Sequence, residues 1–350
     1  MNIECSLPIV SIIVLNYNGK KYLDHCFDSL AKISYPKSRF EVILVDNGSS
    51  DGSVDYVKHN YPWVKIVPLK VNYGFTGGNN IGVRFAKGEY IVFLNNDVVV
   101  DEKWLIELVK VVMDNPDAIV TSKSLFFEMP DMIDHDGTKM TFIGRSFSIN
   151  FGRKNDNSKS VPKYVVQPYG ASMMVKKSVF VDLGRFDEIY FTSLEDTDLG
   201  LKAWLYGYKV IYVPTSFFFH VGGGTGGWGS KISNKMVFHL TKNSYMNVIK
   251  YFNSYRILQG ITFSLLYYLV SAIGSIREGR IDSIKAVLQA HIWVIRNSGL
   301  IIRKRNELKK NQRVASSFLF KPSLFASLPE MINENSIIQK FYKTYYAKRK

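Results

Sequence analysis

The chain has 350 residues, enough to bury a full core in two or three structural units. An apolar fraction of 46% excludes wholesale disorder, and two cysteines, Cys5 and Cys26, exclude a disulfide scaffold and fit a reducing compartment. The formal charge of +15 is concentrated: residues 231–350 hold 21 Lys/Arg against 5 Asp/Glu, which leaves 24 basic and 25 acidic side chains ahead of them. The C-terminal third therefore calls for an anionic partner, phospholipid or nucleic acid.

Met1 to Pro8 carries no basic stretch before its apolar run, so no secretory signal is expected. Residues 9–17, IVSIIVLNY, then read as a buried strand bounded by Pro8 and Asn18-Gly19. Helical spacing follows at Leu23, Phe27 and Leu30. Residues 40–46, FEVILVD, form a second strand closed by NGSSDGS, and 54–59 a short helix. A third strand over 64–69, a helix over 78–86 and a fourth strand over 89–94 lead into Asn95-Asn96-Asp97. Next come a helix over 101–113 and a strand over 118–122. This alternation predicts an α/β fold with a mainly parallel sheet. Ligands bind such sheets beyond the carboxyl ends of the strands. The polar clusters 16–18, 46–53 and 95–97 all fall at those ends. Residues 123–168 read as irregular, with an exposed loop over 153–160. A strand and short helix are expected over 169–183, an acidic turn and a helix from near Glu195 over 187–208, and a strand over 209–213. FFFH at 217–220 runs into a glycine-rich loop over 222–229, beyond which the chain is helical and basic.

Asp97 ends a hydrophobic strand, where a carboxylate packs poorly but can hold a hard divalent cation against a diphosphate; the tripeptide also suits a plain turn. Glu195, Asp196 and Asp198 place three acids in four residues. One suffices to cap a helix, and a carboxylate is a suitable general base for a hydroxyl. His220, at the end of an aromatic strand, suits packing or the completion of a metal shell with Asp97. The glycine-rich loop after it suits a linker, a phosphate cradle or a lid, with Trp228 covering a ligand. Tyr17 and Asp46 suit ordinary strand-end polarity, or stacking on and hydrogen bonding to a nucleotide base.

VSIIVLNYNG, VILVDNGSSDGS, NYGFTGGNNIG, FLNNDV, GASMMV, GRFDEIYFTSLEDTDLGLKA and FFFHVGGGT occur in an order that resembles the family 2 inverting glycosyltransferases of GT-A fold, in particular the rhamnosyltransferase-like branch. The resemblance covers about residues 9–250. It implies base and ribose contacts at Asn16, Tyr17 and Asp46, and a donor-side turn at Gly77, Gly78 and Asn79, with Asn96 also on the donor side. It further implies Mn2+ or Mg2+ held by Asp97 and His220, and a catalytic base at Asp196 with Glu195 beside it. The first acid of the family's Asp-x-Asp motif is Asn95 here. The implied reaction takes a nucleoside-diphosphate sugar (dTDP, UDP or GDP) to a glycan or polyprenyl-linked hydroxyl with inversion. A polyprenyl-phosphate sugar synthase, the nearest rival, fits Asn95-Asn96-Asp97-Val98 less well.

Two regions are expected: a catalytic domain over 1–235, with a donor half to about 122 and an acceptor half beyond, and a basic helical region over 236–350. In the latter, 257–276 is an uncharged stretch between Arg256 and Arg277, about the length of a bilayer span but diluted by polar residues. A helix over 281–302 carries Lys285 and Arg296 among apolar residues, and Arg303-Lys304-Arg305 follows. This pattern predicts attachment to an anionic membrane surface, at the cytoplasmic face, and no nucleic acid.

Overall fold

The computed structural model describes residues 7–156, 161–221, 232–333 and 340. The first half is built as the alternation predicts: β1 (Val10–Asn16), α1 (Lys20–Ala31), β2 (Phe40–Asp46), α2 (Ser53–Asn60), β3 (Lys65–Pro68), α3 (Gly74–Phe85) and β4 (Tyr90–Asn95). β1 pairs in parallel with β2 and β4, and β2 with β3, in a register that sets Asn16 beside Asp46 and Leu15 beside Asn95. Three polar strand ends thus share one edge. β5 (Val98–Val100), α4 (Trp104–Asp114) and β6 (Ile119–Phe126) follow.

Residues 123–156 and 161–168 are more regular than expected, and part of the loop expected over 153–160 lies outside the described residues. β6 continues to Phe126, β7 (Met129–His135) pairs with it antiparallel, β8 (Thr138–Met140) and β9 (Ser146–Ser148) form a small hairpin, and β10 (Lys163–Tyr164) lies at the sheet edge. Aspartates at 131 and 134, a residue type depleted in strands, hide this from a periodicity reading. β11 (Ser172–Lys176) inserts antiparallel between β4 and β6, and α5 (Lys177–Asp182) and α6 (Glu195–Leu205) follow. β12 (Val210–His220) unites the two segments expected at 209–213 and 217–220. It runs parallel to β6 with a register shift between Val213 and Phe217, where Pro214 cannot donate to the ladder. The sheet order is β10-β12-β6-β11-β4-β1-β2-β3.

Alternation along β1 divides the core. Ile12 and Val14 face a cluster with Leu23 and Phe27 of α1, Val57 of α2 and Leu105 of α4, whereas Ile13 faces one with Val83 of α3, Phe180 of α5 and Leu201 of α6. The helical region comprises α7 (Asn234–Tyr251), α8 (Ser254–Arg277), α9 (Ile281–Arg296) and α10 (Ser298–Asn311). The single helix expected over 281–302 is broken at Asn297, whose side-chain amide donates to the Trp293 carbonyl. Met140 exchanges backbone hydrogen bonds with Leu324 and Ala326, which ties the segment after α10 to β8.

Candidate active site

The ends of β1, β2 and β4 are joined by side chains. Buried Asn16 donates to Asp46 Oδ2 (2.9 Å) and Ser49 Oγ (3.2 Å), while its own oxygen accepts from Asn96 Nδ2 (2.6 Å). Asp46 Oδ1 accepts the Ser49 N–H (2.9 Å). Gly19 makes this junction possible, because a Cβ there would stand 2.1 Å from Asn96 Nδ2 and 2.7 Å from Asn16 Oδ1. Next to it opens a cavity of about 630 Å³ lined by Tyr17, Asn96, Asp97, Glu195, Asp196 and His220. Asn16 and Asp46 lie behind this wall and support it; they do not line it.

Gly77, Gly78 and Asn79 depart from the expected donor-side turn. α3 begins at Gly74, so all three are buried inside a helix. A Cβ at Gly78 would meet Leu15 Cδ1 at 2.5 Å, and one at Gly82 would meet Ile13 Cγ2 at 2.8 Å. These glycines let the helix lie close on β1. The cavity wall on this side is instead Asn47, Asn72, Gly74 and Phe75. Asn47 organises it, donating to Asn72 Oδ1 and the Gly74 carbonyl (both 3.0 Å) and accepting the Tyr73 N–H (2.9 Å).

At the centre, Asp97 follows β4 and His220 ends β12, which pairs with β5. His220 Nε2 lies 3.5 Å from Asp97 Oδ1, and that buried oxygen has no hydrogen-bond partner. His220 Nδ1 faces Asp134 Oδ2 at 2.9 Å. Burial disfavours the imidazolium, but Asp97 and Asp134 outweigh it and raise the His220 pKa to about 10. Burial likewise opposes ionisation of Asp97, and the His220 charge more than offsets it, holding that carboxyl below its usual range. Asp134 is absent from the sequence reading; the only signal is an acid in MIDH, an otherwise apolar approach to a histidine. Cys26, on the buried face of α1, has its thiol pushed up by burial and then by Asp97.

Glu195 and Asp196 open α6 and line the same cavity. Asp196 accepts N–H bonds from Gly170 (3.1 Å) and Thr197 (2.7 Å), and Thr197 Oγ1 bonds Gln167 Oε1. Burial raises Asp196 to about 6 against those donors. Burial, then the charge of Asp196, raises Glu195 to about 8, and Glu195 Oε2 has no partner. Asp198, the third acid, turns away: it binds Lys250 Nζ and the Tyr251 hydroxyl, both at 2.5 Å, and locks α6 to α7. The loop before α6 holds Phe191, Ser193 and Leu194 at positive φ (65°, 69° and 62°). Asn243 Nδ2 on α7 clamps it through the carbonyls of Tyr190 (3.1 Å), Thr192 (2.9 Å) and Ser193 (2.6 Å). The glycine-rich loop with Trp228 lies outside the described residues.

This mostly parallel sheet, with acids at its strand ends and a helical C-terminal region, is that of a GT-A glycosyltransferase. Residues 11–182, just under half of the chain, match the family described as Glycosyl transferase family 2. Poly(ribitol-phosphate) beta-glucosyltransferase of Bacillus spizizenii is 32% identical over 118 residues, 33% of this chain and 19% of that protein. The chain thus spans about a fifth of that relative's length. Rhamnosyltransferase WbbL of Escherichia coli is 26% identical over 224 residues, 61% of this chain and 83% of that one. Mannosyltransferase PcManGT of Pyrobaculum calidifontis, solved with GDP-Man and Mn2+, shares the fold at a TM-score of 0.53 over 88% of this chain and 87% of that one, with 16% identity.

Proposed function

We propose that the chain moves a sugar from a nucleoside-diphosphate sugar to a hydroxyl of a glycan or lipid-linked acceptor, with inversion at the anomeric carbon. One observation carries the reading: a partly buried carboxylate, Asp196, lines a single cavity together with a buried acid–histidine pair and Tyr17. Tyr17 offers a ring for the base, with Asn16 and Asp46 bracing the wall behind it. Asp97 Oδ1, buried without a partner beside His220 Nε2, fits a hard cation. Asp97 and His220 would hold Mn2+ or Mg2+, and the ion when bound neutralises charge on the departing nucleoside diphosphate. Asp196 takes the proton of the acceptor hydroxyl as that oxygen bonds to the anomeric carbon. The bond from that carbon to the diphosphate oxygen breaks on the opposite face, and the configuration inverts.

The helical region supports membrane attachment as part of the same reading. α8 is the one helix among the described residues long and apolar enough to cross a bilayer, yet its buried residues, Gly260, Ser264, Tyr268 and Ser275, form a narrow stripe. Around the stripe Leu258, Leu265, Leu266, Leu269, Val270 and Ile273 are exposed. A helix seated on the protein by one flank and apolar elsewhere lies in the plane of an interface, here the cytoplasmic face, with Arg256 and Arg277 at its ends.

A thermal-shift panel of UDP-, GDP- and dTDP-sugars with Mn2+, Mg2+ or EDTA tests the site. One donor is expected to raise the melting point with metal and not in EDTA, and Asp97→Ala to lose that shift. No shift with any donor under any condition would overturn the reading.

A further inference from the structure

We infer that Asp134, assisted by Ser124 and Tyr169, is a positioning residue that aims Nε2 of His220 at the place beside Asp97 where a divalent cation is held. The inference rests on the metal site proposed above and adds the device that orients one of its two ligands.

Three groups converge on one oxygen. Asp134 Oδ2 lies 2.9 Å from His220 Nδ1, accepts from Ser124 Oγ at 2.7 Å, and receives the Tyr169 hydroxyl at 3.3 Å. All are anchored by backbone. Ser124 lies on β6 opposite His135 of β7, and β12 carries His220 alongside Phe126 of β6. Tyr169 is fixed in turn by a parallel stack on His135, 4.1 Å between centroids with 4° between planes. An imidazole that donates its Nδ1 proton to a carboxylate presents Nε2 as a ligand once the cation displaces the Nε2 proton, and the carboxylate makes that nitrogen a better one. Here Nε2 faces the orphaned Asp97 oxygen at 3.5 Å, long for a hydrogen bond between the two and a separation that an ion bound by both would bridge. With Asn95 in place of an acid, the proposed ligands among the described residues number two, so the aim of His220 weighs more than it would in a fuller shell.

The test is Mn2+ binding by the full chain, read from the EPR signal of free Mn2+, with UDP, GDP or dTDP as the nucleotide probe. Asp134→Asn keeps the shape, but its amide can donate to Nδ1 and force the ring proton onto Nε2. It is expected to weaken Mn2+ binding by about 10- to 100-fold, to change the hyperfine pattern of the bound ion, and to leave nucleotide affinity in EDTA unaltered. A merely structural role would not produce that split. Unchanged Mn2+ affinity in a folded Asp134→Asn protein would overturn the inference and leave the metal site standing, with Asp97→Asn as its control. Absence of Mn2+ binding by the wild type with every nucleotide would overturn both. Should Asp134→Asn not fold, Ser124→Ala and Tyr169→Phe each remove one bond to Asp134. Both are expected to lose Mn2+ affinity several-fold, and wild-type affinity in both would overturn the inference.

Discussion

The proposed chemistry turns on two neighbouring carboxyls with different surroundings. Asp196 keeps two backbone N–H donors, whereas Glu195 has an oxygen without any, so burial lifts Glu195 to about 8 and Asp196 only to about 6. The lower of the two values suits Asp196 to be the ionised carboxylate that the proposed mechanism needs. Transfer is expected to fall tenfold per unit as pH drops below about 6, which a pH profile of initial rates checks. Asp196→Asn removes the base without changing shape. Turnover should fall by about 10²- to 10⁴-fold, while the donor-induced thermal shift persists. Glu195 gives a stability prediction of the opposite kind. Its folded pKa stands above its unfolded value, so the folded chain binds the proton more tightly, and stability declines as pH rises from the unfolded value to about 8. Glu195→Gln removes that penalty and should raise the melting point at pH 8.5 while leaving it nearly unchanged at pH 4, as calorimetry at the two pH values would show.

Among the elements, the loop before α6 is where strain and support meet. Three non-glycine residues at positive φ cost about 1–3 kcal/mol each, and Asn243 of α7 restrains them through three carbonyls. Asn243→Ala is expected to lower stability by about 1–3 kcal/mol in urea unfolding, and to reduce turnover more than donor binding, because the loop leads directly into Glu195 and Asp196. Equal turnover would mean that the loop holds itself. None of this is legible in the sequence: the positive-φ residues are not glycines, and Asn243 sits among polar neighbours. The first four parallel strands are legible because both faces of the sheet are covered, so their apolar runs are continuous. The polar clusters at their ends are legible for the complementary reason, since nothing apolar follows. GFTGGNNIG misleads, because glycine signals both turns and close helix–sheet contact, and only the positions of Leu15 and Ile13 decide between them. β7 is lost to its aspartates, and Asp134 is lost with it.

Taken whole, the molecule divides its charge and its apolar surface along the same line. The basic excess lies in residues 231–350, where α8 and α9 also leave Leu265, Leu266, Leu269, Val270, Leu288, Ile292 and Ile295 exposed. Apolar surface of this extent on helices edged by Arg256, Arg277, Arg280 and Arg296 suits lipid tails and anionic head groups together. Nucleic acid would need the cations on a soluble face of their own. The two contributions respond to different variables, so they can be separated. Flotation with vesicles containing phosphatidylglycerol is expected to carry the protein at low salt, and 0.5 M NaCl to weaken binding without abolishing it, because salt screens charges and leaves apolar burial intact. Leu266→Glu with Val270→Glu places charge on the exposed side of α8, away from the stripe that seats it. That variant should stay in the soluble fraction at any salt while keeping the wild-type melting point and the donor-induced shift. Retained flotation would assign the attachment to the basic residues alone, and a lowered melting point would mean that this face packs against protein.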